Sequence, residues 1–149
     1  MLGDHMDIQK GEFSINTDKT KLDYGIIHRF LRESYWAEGI PLETVKKGIE
    51  KSLCFGVYHQ GRQIGFARVI TDYATYAYLG DVFILANYRG RGLSKWLVEV
   101  ITGHPELQGL RRWMLATRDA HGLYVQFGFK GLKAPDRWME KHNPDVVRR

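Results

Sequence analysis

The run Ile84-Leu85-Ala86-Asn87-Tyr88-Arg89-Gly90-Arg91-Gly92-Leu93-Ser94-Lys95-Trp96 constrains this chain more than any other segment. An apolar strand ends in it, a basic glycine-containing turn follows, and a helix begins at once. The helix, residues 93–101, carries Leu93, Trp96, Leu97, Val100 and Ile101 on one face. Strand, turn and helix in this order aim unpaired backbone N–H groups and the positive end of the helix dipole at one point. Glycines without a Cβ let an anion approach the backbone closely, so a phosphate or pyrophosphate is the natural guest. The glycine spacing fits neither the P-loop, which needs a Gly-Lys-Ser/Thr ending, nor the dinucleotide fingerprint. A plain helix cap and a basic surface touching RNA are the competing readings of the same turn.

The rest of the sequence bounds the answer. At 149 residues, 44% hydrophobic and 26% charged, the chain has the size and composition of a single globular domain, residues 1–149. Residues 1–5 read as a cloning remnant ahead of a start at Met6. No run approaches the roughly eighteen apolar residues of a membrane span, and no signal peptide is visible, so a cytoplasmic location is expected. Cys54 is the only cysteine and reads as a small core hydrophobe, which excludes an internal disulfide. No histidine pair has zinc-motif spacing, so no metal is expected. The net charge of +5 suits a polyanionic ligand without requiring one. Part of it, Arg148-Arg149, reads as a solvated tail.

Periodicity predicts a first strand over residues 12–16 and a helix over 22–36. A second helix starts near Pro41 with Leu42, Val45 and Ile49 as its apolar stripe. Strands at 53–59 and 63–71 flank the turn Gln60-Gly61-Arg62, and a third follows at 77–85, giving an antiparallel meander. After the 93–101 helix come a strand at 112–117, a helix at 119–126, and Trp138-Met139-Glu140 as a last strand closing the sheet. The expected fold is α/β (α+β): a mixed, mainly antiparallel central sheet flanked by helices.

A second motif, Asp119-Ala120-His121-Gly122-Leu123-Tyr124-Val125-Gln126-Phe127-Gly128-Phe129, follows the next strand. With it the chain resembles the GCN5-related N-acetyltransferases (GNAT). Their signature is Arg/Gln-x-x-Gly-x-Gly/Ala, then Asn-Ala-x-x-Phe/Leu-Tyr-x-x-x-Gly-Phe. Arg89, Gly92 and Ser94 fill the first motif, with Ser94 replacing the usual Gly or Ala. Ala120, Leu123, Tyr124, Gly128 and Phe129 fit the second, and Asp119 stands where Asn is usual. The resemblance spans residues 53–140 and implies the GNAT (acyl-CoA N-acyltransferase) fold, acetyl-CoA as cofactor, and N-acetyltransferase activity toward a primary amine by direct attack in a ternary complex. It places the coenzyme A pyrophosphate on the amides of Gly90, Arg91, Gly92, Leu93, Ser94 and Lys95, with the Arg89 side chain nearby. Asp119 would reach the pantetheine arm. The thioester would lie between Val82–Leu85 and Met114–Thr117, where such strands bulge and splay, with a main-chain N–H of Phe83 or Ile84 as oxyanion donor and Leu85 completing the cofactor wall.

Acyl transfer also needs a proton for the leaving thiolate. Tyr124 is the candidate acid: its ordinary pKa near 10, against about 8.5 for a thiol, is read as leaving it protonated and able to donate downhill. Asp81, on the strand entering the bulge, is the candidate base by position. An exposed or structural aspartate is the alternative. The acceptor is a small-molecule or peptide amine. Tyr35, Trp36, Asp72 and Tyr73 are candidate contacts, because aromatics beside an acid suit a cationic amine. The same aromatics suit ordinary packing or a homodimer surface equally well. Two other classes compete: a non-catalytic acyl-CoA sensor, and a small RNA-binding domain using Arg89–Arg91 and Arg111–Arg112. The chain lacks the aromatic RNA-reading motifs, so neither nucleic acid nor membrane is an expected partner.

Overall fold

The computed structural model describes residues 5–145. Most of the leading segment read as a cloning remnant, and the Arg148-Arg149 tail, lie outside the described residues. The strands are β1 (Asp7–Lys10), β2 (Phe13–Asn16), β3 (Leu53–His59), β4 (Arg62–Thr71), β5 (Tyr76–Ile84) and β6 (Arg112–Met114). The helices are α1 (Tyr24–Glu33), α2 (Leu42–Glu50), α3 (Leu93–Thr102) and α4 (His121–Tyr124). One sheet holds all six strands in chain order. Every neighbouring pair is antiparallel except β5 and β6, which run parallel after the α3 crossover.

Helices cover both faces, and the strand sequences explain why. In β3, Phe55 and Val57 point into a core shared with Leu97 and Ile101 of α3, while Cys54 faces Ile27, Leu31, Val45 and Ile49 of α1 and α2. That alternation is the period of two expected of a strand covered on both sides. Helix α1 starts where the Asp23 carboxylate accepts from the Ile26 N–H at 3.1 Å, a side-chain cap for an otherwise orphan donor. It turns Ile27 and Leu31 inward, 0% and 2% exposed, each stabilising by roughly 1.5–3 kcal/mol. Truncating Leu31 to alanine would cost about 2–5 kcal/mol. Burial also raises the Cys54 thiol to about 11 against the pull of Lys19 and Arg68, which suits an inert core residue.

Helix α1 stops at Glu33, short of the expected 36, and the helix expected over 119–126 is α4 followed by a 3-10 turn, Val125–Phe127; the strands depart from the sequence expectations as well. Strand β1 was not anticipated, because Asp7-Ile8-Gln9-Lys10 is a mostly exposed edge strand with little apolar patterning. Strand β6 pairs with β5 only as far as Tyr78 and Met114, so residues 115–117 leave the sheet. Trp138-Met139-Glu140 forms no strand: Met139 is 97% exposed, and the Trp138 ring packs under the Arg112 guanidinium at 4.9 Å. A short 3-10 turn, Pro135–Arg137, precedes it.

Candidate active site

Strand β5 bulges. Phe66 pairs with Phe83 and Arg68 with Gly80, so Ala67 alone opposes the two residues Asp81 and Val82. Leu79 and Phe83, four apart, would share a face in a regular strand. Instead Leu79 joins the α3 core and Phe83 the α1–α2 core, so the parity of the strand switches across the bulge. Asp81 adopts φ +54°, a left-handed conformation that aspartate tolerates better than most residues. Its Oδ1 accepts from the Trp36 indole N–H at 2.9 Å and its Oδ2 from the Arg68 Nε–H at 2.8 Å. Arg68 also donates to the Ser52 hydroxyl at 3.0 Å. Phe83 lies flat on Phe30, ring centres 4.0 Å apart. The bulge is therefore tied to α1, to β4 and to the end of α2. Pairing between β5 and β6 ends just before it, at Tyr78 and Met114, so the bulged part of β5 and residues 115–117 are not paired.

At the far end of β5 the Leu85 N–H bonds the Ile64 carbonyl at 2.8 Å, and a 3-10 turn, Ala86–Tyr88, leads into the basic turn. Gly90 and Gly92 have φ +79° and +75°, and a Cβ on either would meet nothing within 4 Å. The glycines are thus required by backbone conformation and leave the turn open outward. Gly92 is the N-cap of α3, with no side-chain cap and no acidic residue in the first turn. The first helical bond is from the Trp96 N–H to the Gly92 carbonyl, 3.1 Å, which leaves the N–H groups of Leu93, Ser94 and Lys95 directed outward. An uncapped, positive helix end over two left-handed glycines fits a pyrophosphate. The Arg89 Nε–H donates to the Ile84 carbonyl at 3.0 Å, and the Arg91 guanidinium lies 5.3 Å from the Tyr88 ring centre. Arg89 therefore secures the turn to β5, besides supplying charge.

Tyr124 is 8% exposed and packs edge-on against Phe129, centres 5.9 Å apart. Burial, with the nearby Tyr35 adding, pushes its phenol up to about 12. The expected downhill donation does not hold: a phenol near 10 facing a thiol near 8.5 already donates uphill, and burial steepens the climb. With the phenol at about 12 and a thiol near 8.5, full transfer to a thiolate is uphill by roughly 5 kcal/mol. What the geometry offers is a phenol that stays protonated and donates a hydrogen bond.

Tyr35 and Trp36 come together at the mouth of the gap, ring centres 5.2 Å apart. The Tyr35 hydroxyl accepts from the Arg118 backbone N–H at 3.2 Å, and the Arg118 guanidinium lies 3.9 Å from the Tyr35 ring centre. This contact joins the α1–α2 segment to the chain leaving β6. Asp72 and Tyr73 are not brought there. They occupy the β4–β5 hairpin, at the end of β5 remote from the bulge. The Asp72 carboxylate accepts from the Thr75 hydroxyl at 2.7 Å and from the N–H groups of Thr75, Ala74 and Tyr76. Those bonds, the Thr75 hydroxyl foremost, hold its carboxyl well below the usual range; it is a turn-forming residue. Asp119 is exposed and lies 3.8 Å from the Arg118 guanidinium. Sequence reasoning missed Arg68 and Arg118. Arg68 had a signal, since a cation amid the apolar Ile64–Ile70 run demands a partner.

No group of three or more His, Cys, Asp or Glu suited to a metal occurs among the described residues, and no described helix is long and apolar enough to cross a membrane.

A bulged strand, a parallel neighbour that stops pairing with it and an uncapped helix end follow one another along β5 and into α3. The model of the acetyltransferase (GNAT) family matches residues 23–129. A candidate acetyltransferase of Gibberella zeae is 30% identical over 138 residues, spanning 77% of each chain. A protein of Xanthomonas campestris pv. campestris assigned to the GNAT family superposes with a TM-score of 0.89 at 51% identity, over 92% of this chain and 97% of that one. An acetyltransferase structure from Clostridium acetobutylicum, solved with acetyl-CoA, shares the fold at a TM-score of 0.62 and 11% identity, over 93% and 95% of the two chains. The chain belongs to the GNAT acetyltransferase family, enzymes that take their acetyl group from acetyl-CoA.

Proposed function

We propose that this chain transfers the acetyl group of acetyl-CoA to a primary amine by direct attack in the gap between β5 and residues 115–117. The observation that carries the reading is the alignment of the uncapped α3 end, its two left-handed glycines and the bulge of β5 along one strand. Bound acetyl-CoA supplies a thioester carbonyl. The amides of Gly90 to Lys95 hold its pyrophosphate, and Arg89 keeps the turn on β5. A main-chain N–H at Phe83 or Ile84, turned by the bulge, stabilises the charge developing on the acyl oxygen.

Tyr124 hydrogen-bonds the departing sulfur. Because its phenol holds its proton so firmly, it gives that proton up only as it receives one released by the attacking amine, so no phenolate accumulates. An alkyl amine with a pKa near 10 must first lose a proton. Both oxygens of the Asp81 carboxylate are engaged by Trp36 and Arg68, so we assign Asp81 to holding the bulge and give the proton transfer to water in the cleft. Tyr35 and Trp36 line the acceptor side, where their ring faces suit a cationic amine before it deprotonates.

A melting-temperature titration tests the cofactor half. Acetyl-CoA should stabilise the protein, by about 2.7 kcal/mol at a hundred times Kd, while NAD and ATP at equal concentration should not. No shift with acetyl-CoA at millimolar concentration would remove the proposal.

A further inference from the structure

Along the outer edge of β6 runs a groove of about 970 Å³, separate from the gap between β5 and residues 115–117. Strand order puts β6 at the end of the sheet, so only its β5 side is paired. Five cations line the groove, Arg111, Arg112, Lys130, Lys133 and Arg137, and no carboxylate does. None of the five pairs with a carboxylate among the described residues. The aromatic walls are Trp113, Phe127, Phe129 and Trp138, with Trp138 held under Arg112. This is the slot that a closing strand would fill, and Trp138-Met139-Glu140 does not fill it.

We infer that this groove docks an extended acidic peptide segment of a partner protein, paired to the free edge of β6. The open edge presents main-chain N–H and C=O groups that an added strand satisfies. The five cations select for carboxylates on that strand. A second copy of this chain would bring the same basic groove against itself, and the chain carries +5 overall, so like charges oppose it. A nucleic acid would satisfy the cations but not the strand edge.

The test uses the whole protein and a fluorescein-labelled eight-residue peptide of alternating Glu and Val, read by polarisation. Saturable binding that falls with salt is expected. The same peptide N-methylated at alternate residues, which cannot pair as a strand, should bind at least about tenfold more weakly. The variant Arg112→Glu/Lys130→Glu should lose at least about tenfold in peptide affinity while keeping its stabilisation by acetyl-CoA, which shows that it still folds. No saturable binding below about 1 mM would mean that the cations merely guard an exposed edge. Equal binding of the methylated peptide would reduce the groove to a charge patch. Tighter binding of an oligouridine, or a protein dimer that excludes the peptide, would give the groove to those occupants instead. Any of these results overturns the inference.

Discussion

Replacing Gly92 by valine separates what the turn does for the fold from what it does for the cofactor. Gly92 sits at φ +75° with nothing within 4 Å of an added Cβ, so the variant suffers no clash, only the left-handed backbone. For a β-branched residue that costs about 2 kcal/mol. At about 3 °C per kcal/mol for this size, the melting temperature should fall by roughly 6 °C. Gly61 in the β3–β4 turn supplies the matched control, with φ +82° and equally empty surroundings. Gly61→Val should lose a similar amount of stability. The two diverge when acetyl-CoA is added by differential scanning fluorimetry at a hundred times the wild-type Kd. Wild type and Gly61→Val should each gain about 2.7 kcal/mol, near 8 °C, whereas the side chain of Gly92→Val projects from the phosphate turn and should abolish most of the gain. If Gly92→Val kept the full shift, the pyrophosphate would not be seated on this turn.

Four further outcomes are expected. Tyr124→Phe should lower turnover of any accepted amine by about 10²-fold with the acetyl-CoA Kd nearly unchanged by calorimetry; unaltered turnover would remove Tyr124 from the chemistry. Asp81→Ala gives up the bonds to Trp36 and Arg68 and strains the bulge, so urea denaturation should show a loss of about 2–4 kcal/mol. Asp81→Asn, which tolerates positive φ and keeps an acceptor for Trp36, should lose markedly less. Burial raises the phenols of Tyr58 and Tyr124 from 10 to about 12, so the folded state favours their neutral forms. The stability they contribute is complete below pH 10 and is lost as pH rises toward 12, which denaturation at pH 8, 10 and 11 would follow. Because the Tyr58 hydroxyl is buried without a partner among the described residues, Tyr58→Phe should hold or raise stability by up to about 1 kcal/mol and soften the alkaline loss.

Local patterning carried much of this fold. The run Leu53-Cys54-Phe55-Gly56-Val57-Tyr58-His59 alternates between two cores, and its strand has the expected bounds. The turn and α3 were legible because glycine conformation, charge and amphipathic spacing all act over a few residues. The bulge at Asp81 came only from the family resemblance, and its supports not at all: Trp36 and Arg68 reach it from 45 and 13 positions away. Asp72 looked like a candidate recognition acid because composition cannot tell a free carboxylate from one saturated by its own turn. Trp138-Met139-Glu140 follows a 3-10 turn that begins at Pro135, and Trp138 meets β6 by stacking its ring on Arg112 rather than by strand pairing.

The most direct test of the central claim is thiol release from acetyl-CoA, followed continuously across a panel of alkyl and aromatic primary amines and peptides. Release should require both protein and amine, rise with pH as the amine deprotonates, and yield an acetylated amine by mass spectrometry. Tight acetyl-CoA binding without amine-dependent release across the panel would contradict it and leave an acyl-CoA-binding module that does no chemistry.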